Sequence, residues 1–262
     1  MNIVGGGRFA GLASIPNTPA PSPLAFPYPV MLADDLADDL LDIGAVTFSP
    51  DDPFEWSSGL RSPVYCDNRR TLAHPQVRRR VADGFANVLK QRDGQAPTLV
   101  AGTSTAGIPH ATLLATRLAL PLCYVRADAK DHGAENRIEG ADPGGARVVL
   151  VEDLISTGQS ALSAARALQA AGADVLGVLA IFSYQLAAAE DAFAEAPWPL
   201  HTLTNFSTLL DVAADEDLFA DGQLQSLRRW HRDPEGWSAE ARGRGNAGAW
   251  EREREEETLE AA

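Results

Sequence analysis

The stretch VVLVEDLISTGQS, residues 148–160, decides the fold. Four apolar residues run directly into two adjacent carboxylates, Glu152 and Asp153. A short polar loop follows, and then SALSAARALQAAG, whose Ala161, Ala165 and Leu168 share one helical face. A continuously apolar strand is one buried on both faces, as in a parallel sheet whose crossover helices cover it. The pattern predicts a strand over 146–153 and a helix after it. The same alternation surrounds it. TLVAG (98–102) reads as a short buried strand, IPHATLLATRLAL as its helix, PLCYVR (121–126) as a strand and DVLGVLAIFSY (174–184) as another. The expected class is α/β, a central parallel sheet flanked by helices and joined by right-handed crossovers.

Open sheets of this kind bind ligands beyond the carboxyl ends of their strands. Three strand ends therefore matter: TSTAG, RADAKDHG and EDLISTGQS. In the last, Ser156, Thr157, Gly158 and Ser160 lie between a strand and a helix N-terminus, where free backbone N–H groups and the helix dipole favour a phosphate. The P-loop pattern G-x-x-x-x-G-K-[ST] is absent and no lysine is near, so the phosphate fits a monoester better than a triphosphate. Two carboxylates beside a phosphate cradle repel the phosphate unless they are turned to other groups. As acceptors for sugar hydroxyls and helpers of a metal-bound substrate they complete a ribose 5-phosphate site. The plain alternative is that Glu152 and Asp153 end a strand and cap a turn. The apolar strand before them and the S-T-G-helix sequence after them favour the binding role.

The 262 residues carry a net charge of −14, which disfavours nucleic acid and anionic membranes as partners. Only two lysines occur, Lys90 and Lys130. Cys66 and Cys123 make no disulfide framework, and no Cys/His spacing fits zinc, so a reducing cytoplasm is expected. No apolar run approaches the ~20 residues that span a bilayer. Residues 1–30, rich in Pro and Gly, are expected to be a disordered tail, unless translation starts at Met31, where the helical pattern MLADDLADDLLDIGAV begins with Gly44 as its C-cap. The globular domain is expected over 31–235, and 236–262 as a charged tail with at most one frayed helix. GRGNAG (243–248) matches the dinucleotide pattern by letter but lacks a preceding strand.

The apolar run followed by EDLISTG and small residues resembles the phosphoribosyl-pyrophosphate (PRPP) signature of type I phosphoribosyltransferases. SSGLRSPVYCDNR (57–69), AGTSTAGIPHA (101–111), CYVRADAKDHG (123–133), NRIEG (136–140) and LRRWHRDPEGW (227–237) resemble, in order, blocks of the orotate phosphoribosyltransferases. The resemblance covers about residues 31–237. It implies the type I phosphoribosyltransferase fold, with a small hood built from N- and C-terminal segments. It implies transfer of the phosphoribosyl group of PRPP to orotate in UMP synthesis, with Mg²⁺ carried mainly by PRPP and water rather than by protein ligands. It also implies a homodimer with shared active sites. A purine phosphoribosyltransferase, and a non-catalytic PRPP-sensing regulator, are the alternatives; the hood sequence argues against the first, the acidic charge and the lid lysine against the second.

By that resemblance, Glu152 and Asp153 hold the ribose, and Leu154, Ile155, Ser156, Thr157, Gly158, Gln159 and Ser160 complete the PRPP loop. Arg126, Lys130 and His132 belong to a polar lid that covers PRPP. Lys130, with Glu152 and Asp153, is a catalytic candidate because the departing pyrophosphate needs its charge neutralised. Ser156 is the candidate for orotate, while Ser57–Ser58–Gly59 and Tyr65–Cys66 flank the base; Tyr65 could equally be a core aromatic. GTSTAGIP supplies backbone N–H groups to pyrophosphate. Some members carry lysine where this chain has Ser57, Ala106 and Ala127, and arginine where it has Tyr184.

Overall fold

The computed structural model describes residues 33–56, 58–91, 96–127, 137–220 and 222–243. Met31, Ser57, Lys130 and His132, and the tail expected over 1–30, fall outside these residues. The chain opens with helix α1 (Ala33–Asp42), and Gly44, at φ 65°, closes it by donating its N–H to Leu41 O at 2.8 Å. Two antiparallel pairs follow: β1 (Val46–Phe48) with β4 (Val64–Cys66), and β2 (Phe54–Glu55) with β3 (Arg61–Ser62). A 3-10 helix (Asn68–Ala73) and helix α2 (Pro75–Gln91) lead into the main sheet.

The sheet and its helices alternate as β5 (Leu99–Thr103), α3 (Gly107–Leu118), β6 (Leu122–Val125), β7 (Ile138–Gly140), β8 (Arg147–Ile155), α4 (Gln159–Ala170), β9 (Asp174–Ser183), α5 (Ala187–Glu195) and β10 (Leu200–Asn205). Helices α6 (Phe206–Asp215) and α7 (Gln223–Arg232) follow. The strand order is β10-β9-β8-β5-β6-β7. Five strands are parallel, as expected, but β7 pairs antiparallel with β6, so the sheet is mixed. Ile138–Gly140 is too short a run to show an alternation, and it becomes a strand only because the edge of β6 is open to it.

The period of two in β8 divides the core. Val149 and Val151 join one cluster with α1, α2, α3 and α6. Val148 and Leu150 join the other, under Ala161, Leu162, Ala165 and Leu168 of α4. Strand β8 runs two residues past the expected end at 153, because Leu154 and Ile155 pair with Phe182 and Ser183 of β9. Both were expected in the PRPP loop; the structure makes them strand residues, and Ile155 is buried in the core.

The expected boundary at residue 235 also moves. Residues 234–243 are helical, and Trp237, Ser238 and Ala241 are buried. The segment reads as a charged tail because its few apolar residues are widely spaced. Its burial comes from the partners that it meets. Trp237 Nε1 donates to Ser226 Oγ at 3.0 Å, and Arg61, on β3, donates its N–H to Ser238 Oγ at 2.9 Å and its Nη1 to Ala241 O at 3.2 Å.

Candidate active site

The ends of β5, β8 and β9 lie side by side, so the loops that follow them share one edge of the sheet. Glu152 is enclosed, 6% exposed, and Asp153 half-buried. Loss of water is the main cause that raises both carboxyls, Glu152 to about 8. A hydrogen bond from Thr103 partly offsets this at Glu152, and Asp153 beside it adds to the rise. The two side chains also hydrogen-bond each other, and the Asp153 N–H donates to Glu152 Oε1 at 3.1 Å. Burial thus pushes both carboxyls toward the protonated form, which eases the repulsion that their adjacency threatens.

The hood reaches this pair through a chain of contacts that the sequence does not announce. Asn68 Nδ2 donates to Asp153 O at 2.7 Å. The Cys66 thiol lies 3.4 Å from Asn68 Oδ1, and the Cys66 N–H donates to the Tyr184 hydroxyl at 3.0 Å. Tyr184 is buried among Trp56, Phe182, Phe206 and Trp230, with ring centroids 5.1–6.5 Å apart. Its hydroxyl faces the backbone of β4, so the tyrosine standing where some relatives have arginine is a structural bolt. Tyr65 is not a core aromatic: it is 42% exposed and lies against Phe54 at 5.5 Å.

The phosphate-loop candidates converge on the start of α4. Ser156, Thr157 and Gly158 form the bend, with Gly158 as N-cap at φ 77°. A Cβ at Gly158 would meet Phe193 Cε2 at 2.8 Å, so both the backbone angle and the space call for glycine. Gln159 and Ser160 are the first helical residues, exposed, and no side chain caps the helix there. The N-terminal amides thus remain available to an anion. Across from them, the TSTAG loop follows β5 and contains a cis Ser104–Thr105 peptide bond. Gly107 opens α3 where an added Cβ would lie 2.5 Å from both Thr103 Oγ1 and Val151 O. The loop can approach β8 only with glycine there.

Arg126 stands at the root of the expected lid. Its N–H donates to Arg137 O at 2.8 Å, Arg137 Nε donates back to Arg126 O at 2.8 Å, and Arg137 Nη1 reaches Ser163 Oγ on α4 at 3.1 Å. Arg126 Nη1 lies 3.9 Å from Glu139. Arg126 and Arg137 are thereby joined to each other and, through Ser163, to α4. Asn68, Thr103 and Arg137 were not singled out in the sequence; each acts through a partner more than ten residues away, which local patterning does not reveal. Among the described residues no group of three or more His, Cys, Asp or Glu could hold a metal ion.

Comparison with known proteins agrees with this geometry. A profile of the phosphoribosyl transferase domain matches residues 68–194. Orotate phosphoribosyltransferase of Staphylococcus haemolyticus is 50% identical over 199 residues, covering 76% of this chain and 98% of that protein. Its counterpart in Bacillus subtilis is 51% identical over 200 residues, covering 76% and 92%. Among solved structures, orotate phosphoribosyltransferase from Aeropyrum pernix superposes with a TM-score of 0.61 at 31% identity, over 71% of this chain and 99% of that one.

Proposed function

The chain belongs to the orotate phosphoribosyltransferase family, and on that footing we propose how its residues divide the reaction. It is a pentosyltransferase that forms orotidine 5′-monophosphate and pyrophosphate from PRPP and orotate. The observation that carries the assignment of roles is the Glu152–Asp153 pair, Glu152 buried and Asp153 donating its N–H to Glu152 Oε1, at the end of a strand whose loop leads to an uncapped helix N-terminus. The 5′-phosphate binds the amides of Ser156 to Ser160, and Ser156 contacts orotate. The ribose hydroxyls donate to Glu152 and Asp153, which replaces the hydrogen bond that the two carboxyls make to each other.

Transfer at C1′ develops positive charge on the ribose as the C1′–O bond to pyrophosphate breaks and the bond to the orotate nitrogen forms. Positioning and charge stabilisation therefore matter more than a strong base. The carboxylates on the ribose side suit that charge. Arg126, Lys130 and His132 meet the departing pyrophosphate, and Lys130 is the residue on which its release depends most. Two carboxyls suffice to orient a metal that arrives on PRPP but not to cage one, which fits Mg²⁺ held mainly by substrate and water; Mg²⁺ would add electrostatic stabilisation of the leaving group. We further propose a homodimer whose lids complete one another's sites, acting in the cytoplasm, where the buried thiols Cys66 and Cys123 stay reduced.

The test is an acceptor assay with PRPP and orotate, hypoxanthine or uracil, with and without Mg²⁺. Orotate is expected to be consumed, only with Mg²⁺, and far faster than the other two. Absence of turnover with orotate overturns the proposal; turnover with hypoxanthine instead points to a purine transferase, and RNA binding without turnover to a regulator.

A further inference from the structure

Asp153 sits where the sheet thins. Strand β5 pairs with β8 no further than Gly102 opposite Val151, and beyond that point β8 is paired with β9 alone. A strand end held on one side can twist, and a twist there swings the side chain proposed for ribose, because the backbone sets the direction in which each Cβ leaves a strand. Side chains hold the two peptide groups that flank the Asp153 Cα. The Asp153 N–H donates to Glu152 Oε1 at 3.1 Å, and Asn68 Nδ2 donates to Asp153 O at 2.7 Å. Glu152 is the adjacent residue and moves with the strand. Asn68 is 85 residues away in the chain and supplies an anchor from outside the sheet.

Asn68 is itself fully buried and bonded through both side chain and backbone. Its Oδ1 accepts the Cys66 thiol at 3.4 Å, and its C=O accepts the Thr71 hydroxyl at 2.6 Å. Its neighbours are pinned as well: the Cys66 N–H donates to the Tyr184 hydroxyl at 3.0 Å, and the Asp67 N–H to Ala45 O at 2.7 Å. A buried amide is unfavourable unless bonded, and this one directs its donor to the backbone of a carboxylate residue in the site. An amide suits the place because it offers a donor to the carbonyl and an acceptor to the thiol at once. Alanine offers neither, and an ionised aspartate only the acceptor.

We propose that Asn68 is a positioning residue for the phosphoribosyl group: it fixes the Asp153 backbone from the hood, so that the carboxylate meets the ribose hydroxyls in a productive geometry. The inference rests on the placement of ribose at Glu152 and Asp153 given above. It implies a division of effects. Contacts to the sugar depend on Asn68, whereas contacts between the phosphate and the amides of Ser156 to Ser160 do not.

The experiment compares a ligand that carries ribose with one that does not. Ribose 5-phosphate and inorganic phosphate are titrated by calorimetry against wild type, Asn68→Ala, Asp153→Ala and the double variant. Asn68→Ala is expected to weaken ribose 5-phosphate by about ten-fold, to leave inorganic phosphate unchanged, and to have no further effect once Asp153 is replaced. Equal weakening of both ligands, which a merely structural role would give, overturns the proposal. So does unchanged affinity for both, or an undiminished effect of Asn68→Ala in the Asp153→Ala background. If Asn68→Ala does not fold, Asn68→Asp decides the matter. It keeps the size and the acceptor for Cys66, and its charge bears on both ligands, so the ratio of their affinities still reads the lost donor. Wild type is measured first. Binding of ribose 5-phosphate no tighter than that of inorganic phosphate removes the ribose placement, and this inference with it. A wild-type preference for the sugar phosphate that the variants keep removes only this inference.

Discussion

Replacing Glu152 with glutamine is expected to make the ligand-free protein more stable and the enzyme less active. Burial lifts Glu152 from 4.5 to about 8, so the folded state binds a proton there that the unfolded chain does not over that interval. The sign follows from linkage: stability falls as pH rises through the window from about 4.5 to 8. At pH 7 the carboxyl must take up a proton about 2.5 pH units above its unfolded value, at roughly 1.4 kcal/mol each, which costs about 3 kcal/mol. At pH 5 the same reckoning leaves under about 1 kcal/mol. Glutamine has the shape of the protonated acid. Its oxygen can still accept the Asp153 N–H, and its amide can still donate to the Asp153 carboxyl. It escapes the titration, so E152Q should gain about 1–3 kcal/mol at pH 7, or about 3–10 °C in Tm for a domain of this size.

The assay is thermal unfolding of both proteins at pH 5, 6, 7 and 8, first without ligand and then with PRPP and Mg²⁺. His110, enclosed and lowered to about 4, contributes a slope of opposite sign on the acid side, but equally in both proteins, so the difference isolates Glu152. PRPP with Mg²⁺ should stabilise wild type more than E152Q, because an ionised carboxylate offers the ribose hydroxyls two charged acceptor oxygens and attracts the metal, whereas glutamine offers one neutral oxygen. An E152Q protein no more stable than wild type at pH 7–8, or a gap that does not widen with pH, refutes the argument from burial. A ligand-induced shift equal in the two proteins refutes the placement of ribose.

Tyr184→Phe leaves the buried Cys66 N–H without its acceptor and should cost about 1–3 kcal/mol in urea unfolding; an unchanged midpoint means that the hydroxyl does not bolt the hood strand. Trp237→Ala should cost about 3 kcal/mol or more, since the side chain is buried beside Leu227 and Trp230 in the same core cluster. A loss within about 0.5 kcal/mol, the range of ordinary surface changes, would return residues 236–243 to the status of a tail. Lys130→Ala should lower kcat by about a hundred-fold or more while PRPP affinity changes little. Near-wild-type turnover in that variant removes Lys130 from the mechanism.

Features that depend on near neighbours in the chain were legible before the fold was known. The apolar run 148–151 and the alanine-rich face of 161–168 specified a two-sided parallel strand and its helix, because burial on both faces demands uninterrupted apolar residues. The polar bend with Gly158 specified a helix start without a side-chain cap, because the residues that form it are five consecutive ones. The charge on the Glu152–Asp153 pair was not legible there. Two adjacent carboxylates in water repel, and only their burial in the folded chain raises both above the usual carboxylate range. Leu154 and Ile155 became strand because β9 was there to pair with them. The clearest case is the end of the chain. A segment as charged as SAEARG has no reason of its own to be buried. Ser238 and Ala241 are held by Arg61, some 180 residues away, and Arg242 by Gly59. Local propensity carries no information about a partner that far off; only the folded chain packs these residues against Gly59 and Arg61 instead of leaving them in solvent.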